Sequence, residues 1–119
     1  MISKGATHVP VLDLEGALAR FDGDKQLFVE MADILLEDAP RLVMDLRSAV
    51  AANDATAVEA HAHALKGLLA GCGGVRAARI SQSLEKAGKS QMLNDSPAMM
   101  ESLEDEMAVL TKVLRNYRA

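Results

Sequence analysis

Residues 59–74 read EAHAHALKGLLAGCGG, and this stretch settles both the class of the fold and the place of its chemistry. At about 3.6 residues per turn, Val58, Ala62, Leu65, Leu69 and Cys72 fall on one stripe spaced by threes and fours. That stripe faces a core. Residues three and four apart stack above one another, so Glu59, His63, Lys66, Gly67 and Ala70 line the neighbouring face. His63 thus has a cation one turn on, beside a position with no side chain. Glycine in mid-helix costs about 1 kcal/mol relative to alanine, and a chain that uses alanine freely needs a reason for Gly67. Close approach of another surface next to the imidazole is one reason, and tight packing between helices is the other. His61 points about 200° round the helix from His63 and belongs to the flank of a bundle. Cys72 lies on the core stripe and reads as a small buried hydrophobe rather than a nucleophile.

The flanks repeat the helical signal. Asp13 caps a short helix with Leu14, Ala17, Leu18 and Phe21 on one face, and Asp22-Gly23-Asp24 breaks it. From Lys25 to about Ala51, Phe28, Met31, Leu35, Ala39, Leu42, Leu46 and Ala49 keep one phase across Pro40. Unbroken phase makes Pro40 a kink rather than an ending, with two separate helices as the alternative. Asn53-Asp54 stops that helix and caps the one carrying His63, which Gly71, Gly73 and Gly74 end. The next runs from about Val75 to Ala87 on Ala77, Ile80, Leu84 and Ala87, with Gly88 as its terminator and residues 89–96 as a connection. Ser96 ahead of Pro97 caps the last helix, whose stripe is Met100, Leu103, Met107, Leu110, Leu114 and Tyr117. Lys112, Arg115 and Arg118 crowd its end, where the helix dipole favours cations. The methionines on this stripe are core filler. The sum is an all-α protein, an antiparallel up-down-up-down four-helix bundle with a short extra N-terminal helix. Residues 1–11, including His8, form a flexible leader, and residues 12–119 form the domain.

Composition bounds the function. A chain of 119 residues, half of it apolar, makes one domain with a real core. No Trp, one Tyr and two Phe beside abundant Ala, Leu and Met favour helix packed on helix. A net charge of −4 with mixed signs argues against nucleic acid, which needs a basic face. One cysteine excludes an internal disulfide and fits a reducing compartment. No apolar run approaches the roughly 18 residues of a membrane span, and no secretory signal is visible, so the expectation is a cytoplasmic monomer.

AHALKG followed by Gly73, ten residues after His63, resembles the signature of the histidine-containing phosphotransfer (HPt) domains of bacterial-type phosphorelays. The leading LDLEGALARFDGDKQLFVEMADILLEDAP, its distance from His63 and the SLEKAG that follows are similar to the same family, so the likeness spans nearly the whole chain. Leu68 and Gly71 depart from it at positions that bear on partner choice. The resemblance implies that His63 accepts a phosphoryl group, that Lys66 supports it, and that Gly67 admits a partner. It implies response-regulator receiver domains as donor and recipient, and a hybrid sensor histidine kinase as a further partner. Antiparallel packing about Gly73 brings Gln82 to Glu85 level with His63, and either Gln82 or Glu85 can reach the ring. The docking patch is then Glu59, Lys66, Gly67, Ala70, Gly71 and Gln82.

An ordinary imidazole titrates near pH 6.5 and offers an unprotonated nitrogen at neutral pH. The chain has no glycine-rich phosphate loop and no acidic cluster arranged for magnesium. We therefore expect a phosphoryl carrier without ATP binding or autokinase activity, no metal or cofactor of its own, and magnesium on the partner receiver. Three other readings compete. An inert helical interaction module is one, and the phosphoacceptor domain of a chemotaxis-type kinase is another. The third, a metal site on His61, His63 and Cys72, is disfavoured because histidines two apart diverge on a helix.

Overall fold

A computed structural model describes residues 9–118, without the side chain of Arg118, and all its regular elements are helices. The expectations for residues 1–8, His8 among them, and for the Arg118 side chain lie outside the described residues. In chain order the helices are α1 (Leu14–Arg20), α2 (Lys25–Ala51), α3 (Ala55–Gly71), α4 (Val75–Ser90) and α5 (Ser96–Arg118). Helices α2 to α5 pack in a closed ring, each against its neighbours in sequence and α5 back against α2, while α1 leans on α2.

Aspartates start three of these helices as the sequence requires. Asp13 accepts from the Gly16 N–H (3.0 Å), Asp24 from Leu27 (3.1 Å) and Asp54 from Ala57 (3.1 Å), each satisfying an orphan donor of a first turn. α2 runs unbroken through Pro40, so one phase did mean one helix. Pro40 is exposed, and its missing N–H leaves the Leu36 carbonyl without its helical donor.

Two boundaries differ from the sequence reading. Gly88 does not end α4, which continues to Ser90 and stops where Gln91 takes a left-handed φ of 58°. Gly88 is instead buried against the start of α3. Nor does the Ser96 hydroxyl cap α5. The helix begins at Ser96 itself, the Asp95 carbonyl accepts from the Met99 N–H (3.0 Å), and Ser96 Oγ is buried without a partner among the described residues.

The core follows the stripes. Val58, Ala62, Leu65, Leu69 and Cys72 of the α3 side are all fully buried, and Met100, Leu103, Met107, Leu110 and Leu114 face them from α5. Each fully buried leucine contributes about 2 kcal/mol of transfer free energy. Phe28 meets the Tyr117 ring edge-on, centroids 5.4 Å apart, joining the start of α2 to the end of α5. α4 presents small residues to the interior, Ala77, Ser81 and Gly88 with Leu84, and this lets it lie close to α3.

Candidate functional site

The turn between α3 and α4 fixes the register of the site. Gly73 sits at φ 79°, a conformation costly for residues with a Cβ. Gly74 N–H bonds the Leu69 carbonyl (2.9 Å) and Gly73 N–H the Ala70 carbonyl (3.2 Å), the paired bonds of a Schellman ending. Gly73 has a second constraint that the sequence alone did not show. Its carbonyl accepts from the Asp13 N–H (2.8 Å), and a Cβ on it would lie 2.6 Å from the Asp13 carbonyl oxygen. The start of α1 is thereby tied to the end of α3.

At the other end of the α3–α4 pair, a Cβ on Gly88 would lie 2.6 Å from Glu59 N and 2.7 Å from Ala55 O. The two backbones therefore touch one turn below Glu85 on α4 and one turn before His63 on α3. This contact and the Gly73 turn bracket the pair that matters.

His63 is exposed, its side chain 68% accessible, and its Nδ1 lies 2.8 Å from Glu85 Oε2. The other Glu85 oxygen lies 2.6 Å from Lys66 Nζ. One carboxylate thus joins the imidazole and the ammonium, and of the two candidates on α4 it is Glu85 that reaches the ring. The reason is the lean of helical side chains toward their own N-termini. His63 tips away from the α3–α4 turn while Glu85 tips toward it, so the ring meets a residue farther from the turn than Gln82. Gln82 is exposed and instead lines a cleft with Lys66 and Ala70.

Lys66 first, and His63 after it, hold the Glu85 carboxyl below the usual carboxylate range. An ionised carboxylate can only accept, so Nδ1 carries the proton of that hydrogen bond. In the neutral ring Nε2 is then the nitrogen with the free lone pair, and it has no partner among the described residues.

The remaining site residues divide into two sides. Glu59, with Thr56 and Ala60, borders a shallow depression of about 510 Å³ beside His63 and Glu85. Toward the turn, Gly67 and Ala70 are exposed and Gly71 half-buried, and a Cβ on Gly67 or Gly71 would meet nothing within 4 Å. Helix packing therefore does not account for Gly67. A cleft of about 240 Å³ opens between α1 and α4, where Arg20 and Arg79 join Lys66, and Arg20 Nη1 donates to the Ala70 carbonyl (2.5 Å). The sequence reading passed over Arg20 and Arg79, since neither lies near His63 in the chain.

Cys72 is fully buried, its thiol pushed up by burial and 3.6 Å from the Met31 carbonyl. Nine residues along α3 separate it from His63, about 13 Å, too far to share an ion. Among the described residues no group of three or more His, Cys, Asp or Glu side chains could hold a metal, and no helix is long and apolar enough to cross a membrane.

Two solved structures share this architecture. Histidine-containing phosphotransfer protein B (HptB) from Pseudomonas aeruginosa is 25% identical, with a TM-score of 0.84 over 93% of this chain and 96% of that one. The HPT domain of a sensor hybrid histidine kinase from Shewanella is also 25% identical, with a TM-score of 0.81 over 90% of this chain and 92% of that one. No curated protein matches the chain. The model of the Hpt domain family matches residues 30–112, which hold α3, α4 and most of α2 and α5. With that match spanning most of its length, the chain belongs to the Hpt domain family.

Proposed function

We propose that His63 is the phosphoryl acceptor through which this Hpt domain performs histidine phosphotransfer in a phosphorelay. The observation that carries the assignment is an exposed ring whose Nδ1 is held by Glu85, which leaves Nε2 without a partner among the described residues. The Nε2 lone pair attacks the phosphorus of a receiver phospho-aspartate. The bond from phosphorus to the carboxylate oxygen breaks, its electron pair stays on the departing aspartate, and a phosphorus–nitrogen bond forms. Nδ1 keeps its proton throughout, so the phosphorylated ring is a cation and the Glu85 carboxylate offsets its charge. Delivery to a second receiver is the reverse, with neutral imidazole leaving and no proton to move.

Lys66 is already engaged by Glu85. Its ammonium lies one turn from Nε2, where a phosphoryl group of about two negative charges would draw on it. Gly67, Gly71 and Ala70 supply a bare surface beside the ring, and with Glu59 and Gln82 they form the docking face. Partners are receiver domains, including that of a hybrid kinase. The ion that neutralises the transferring group belongs to the partner, along with the in-line geometry. The domain acts as a monomeric cytoplasmic carrier, without ATP binding, autokinase activity or nucleic acid.

The test is to incubate the protein with a receiver domain labelled on its phospho-aspartate. Label should reach wild type and not His63→Gln. Equal labelling of both would remove His63 as acceptor.

A further inference from the structure

Charge around His63 is not evenly spread. On the N-terminal side of α3 the ring is bordered by Glu59 and Glu85, whereas toward the α3–α4 turn the surface carries Lys66, Arg20 and Arg79. In a chain of net charge −4, the arginines are informative. Arg41, Arg47 and Arg76 each pair with a carboxylate, Asp45, Glu104 and Glu106 in turn. Arg20, Arg79 and Arg115 have no such pair among the described residues, and of these Arg20 and Arg79 line the same cleft. Arg20 spends one N–H on the Ala70 carbonyl, and the Arg79 side chain has no partner among the described residues. The acid that lines this cleft, Asp13, is occupied in capping α1 through the Gly16 N–H. Two guanidinium groups without carboxylates therefore flank one cleft, next to the bare stretch of α3.

The geometry points to this cleft as the seat of the carboxylate-bearing rim of the partner receiver, a surface that sets which receivers dock and in which orientation. The proposal rests on His63 being the acceptor. A receiver that transfers a phosphoryl group must hold magnesium, and magnesium is held by one or two carboxylates together with the phosphate. The partner's surface around its phospho-aspartate is thus acidic. Placed over Glu59 and Glu85 that rim would be repelled; turned toward Arg20 and Arg79 it meets planar forks shaped for carboxylates. The polarity of the face permits one rotation about Nε2. Arg20 lies outside the family match, on an element tied to the site by the Asp13–Gly73 and Arg20–Ala70 hydrogen bonds. That position suits a residue that distinguishes partners rather than one required for transfer.

The experiment uses the full chain with one receiver that labels wild type, comparing wild type, Arg79→Glu and the double variant Arg20→Gln/Arg79→Glu. At about 0.05 M salt the bimolecular transfer rate should fall about tenfold in Arg79→Glu and further in the double variant, the gap closing near 1 M salt. Replacing with lysine a rim carboxylate of the receiver that does not ligate its magnesium should recover transfer to Arg79→Glu. Direct labelling by phosphoramidate, which needs no partner, should be equal in all three. Wild-type transfer rates in both variants at low salt would overturn the cleft and leave the acceptor standing. Failure of phosphoramidate to label wild type at His63 would instead overturn the acceptor. Arg79 is exposed, and an unchanged thermal midpoint confirms that its variant is folded.

Discussion

Glu85 Oε2 lies 2.8 Å from His63 Nδ1, and this contact decides which ring nitrogen is available for chemistry. A carboxylate that only accepts keeps the proton on Nδ1 and leaves the lone pair on Nε2. Glu85→Ala should therefore lower the phosphotransfer rate by about tenfold or more, as expected when a positioned acid–base partner is lost. Glu85→Gln, whose amide oxygen can still accept, should lose less. Nitrogen-15 NMR of the imidazole gives a readout independent of rate. Wild type should show mainly the Nδ1–H tautomer, and an unchanged tautomer ratio in Glu85→Ala would contradict the assignment.

The same carboxylate carries a pH dependence. Lys66 and then His63 depress its folded-state pKa below the ordinary value of 4.5. A group with a depressed folded pKa stabilises the protein above its unfolded pKa and loses that contribution as pH falls through the folded one. Urea unfolding of wild type and Glu85→Gln should thus differ most near neutral pH and converge as the solution is acidified below 4.5. A difference that grows on acidification would reverse the sign and refute the ion pair.

Gly67 separates stability from function. A Cβ there meets nothing within 4 Å, so Gly67→Ala should stabilise the protein by about 0.5–1 kcal/mol through helix propensity. Gly67→Gln should also fold, while slowing transfer from a receiver by hindering its approach. Denaturant midpoints and transfer rates measured on the same samples check both. Loss of stability in Gly67→Ala would mean that the position is packed after all.

Gly88 should behave in the opposite way. Its missing Cβ admits the Glu59 and Ala55 backbones, and Gly88→Ala forces α3 and α4 apart at a cost of roughly 1–3 kcal/mol. The displacement lies one turn from Glu85, so the His63–Glu85 hydrogen bond should weaken too, seen as a shift toward the other tautomer. A crystal structure of the variant with both the helix spacing and that bond intact would remove Gly88 from the account.

The chain's own residues determined the helices and their inner faces, because apolar spacing by threes and fours, aspartate caps and glycine stops act within a turn or two. The α3 stripe from Val58 to Cys72, the unbroken α2 across Pro40 and the place of His63 beside an open Gly67 were legible for that reason. Gly88 was misread as a stop, since a glycine near a helix end looks the same whether it ends the helix or admits a neighbouring backbone. Ser96 was misread as a cap because its hydroxyl's surroundings depend on the packing of α5. Which of Gln82 and Glu85 meets the ring, that one carboxylate serves both His63 and Lys66, and that Arg20 comes to lie beside Ala70 were decided by tertiary structure alone. Those contacts join residues 19 to 50 positions apart, and their geometry follows from helix spacing and side-chain lean, quantities set only once the bundle closes.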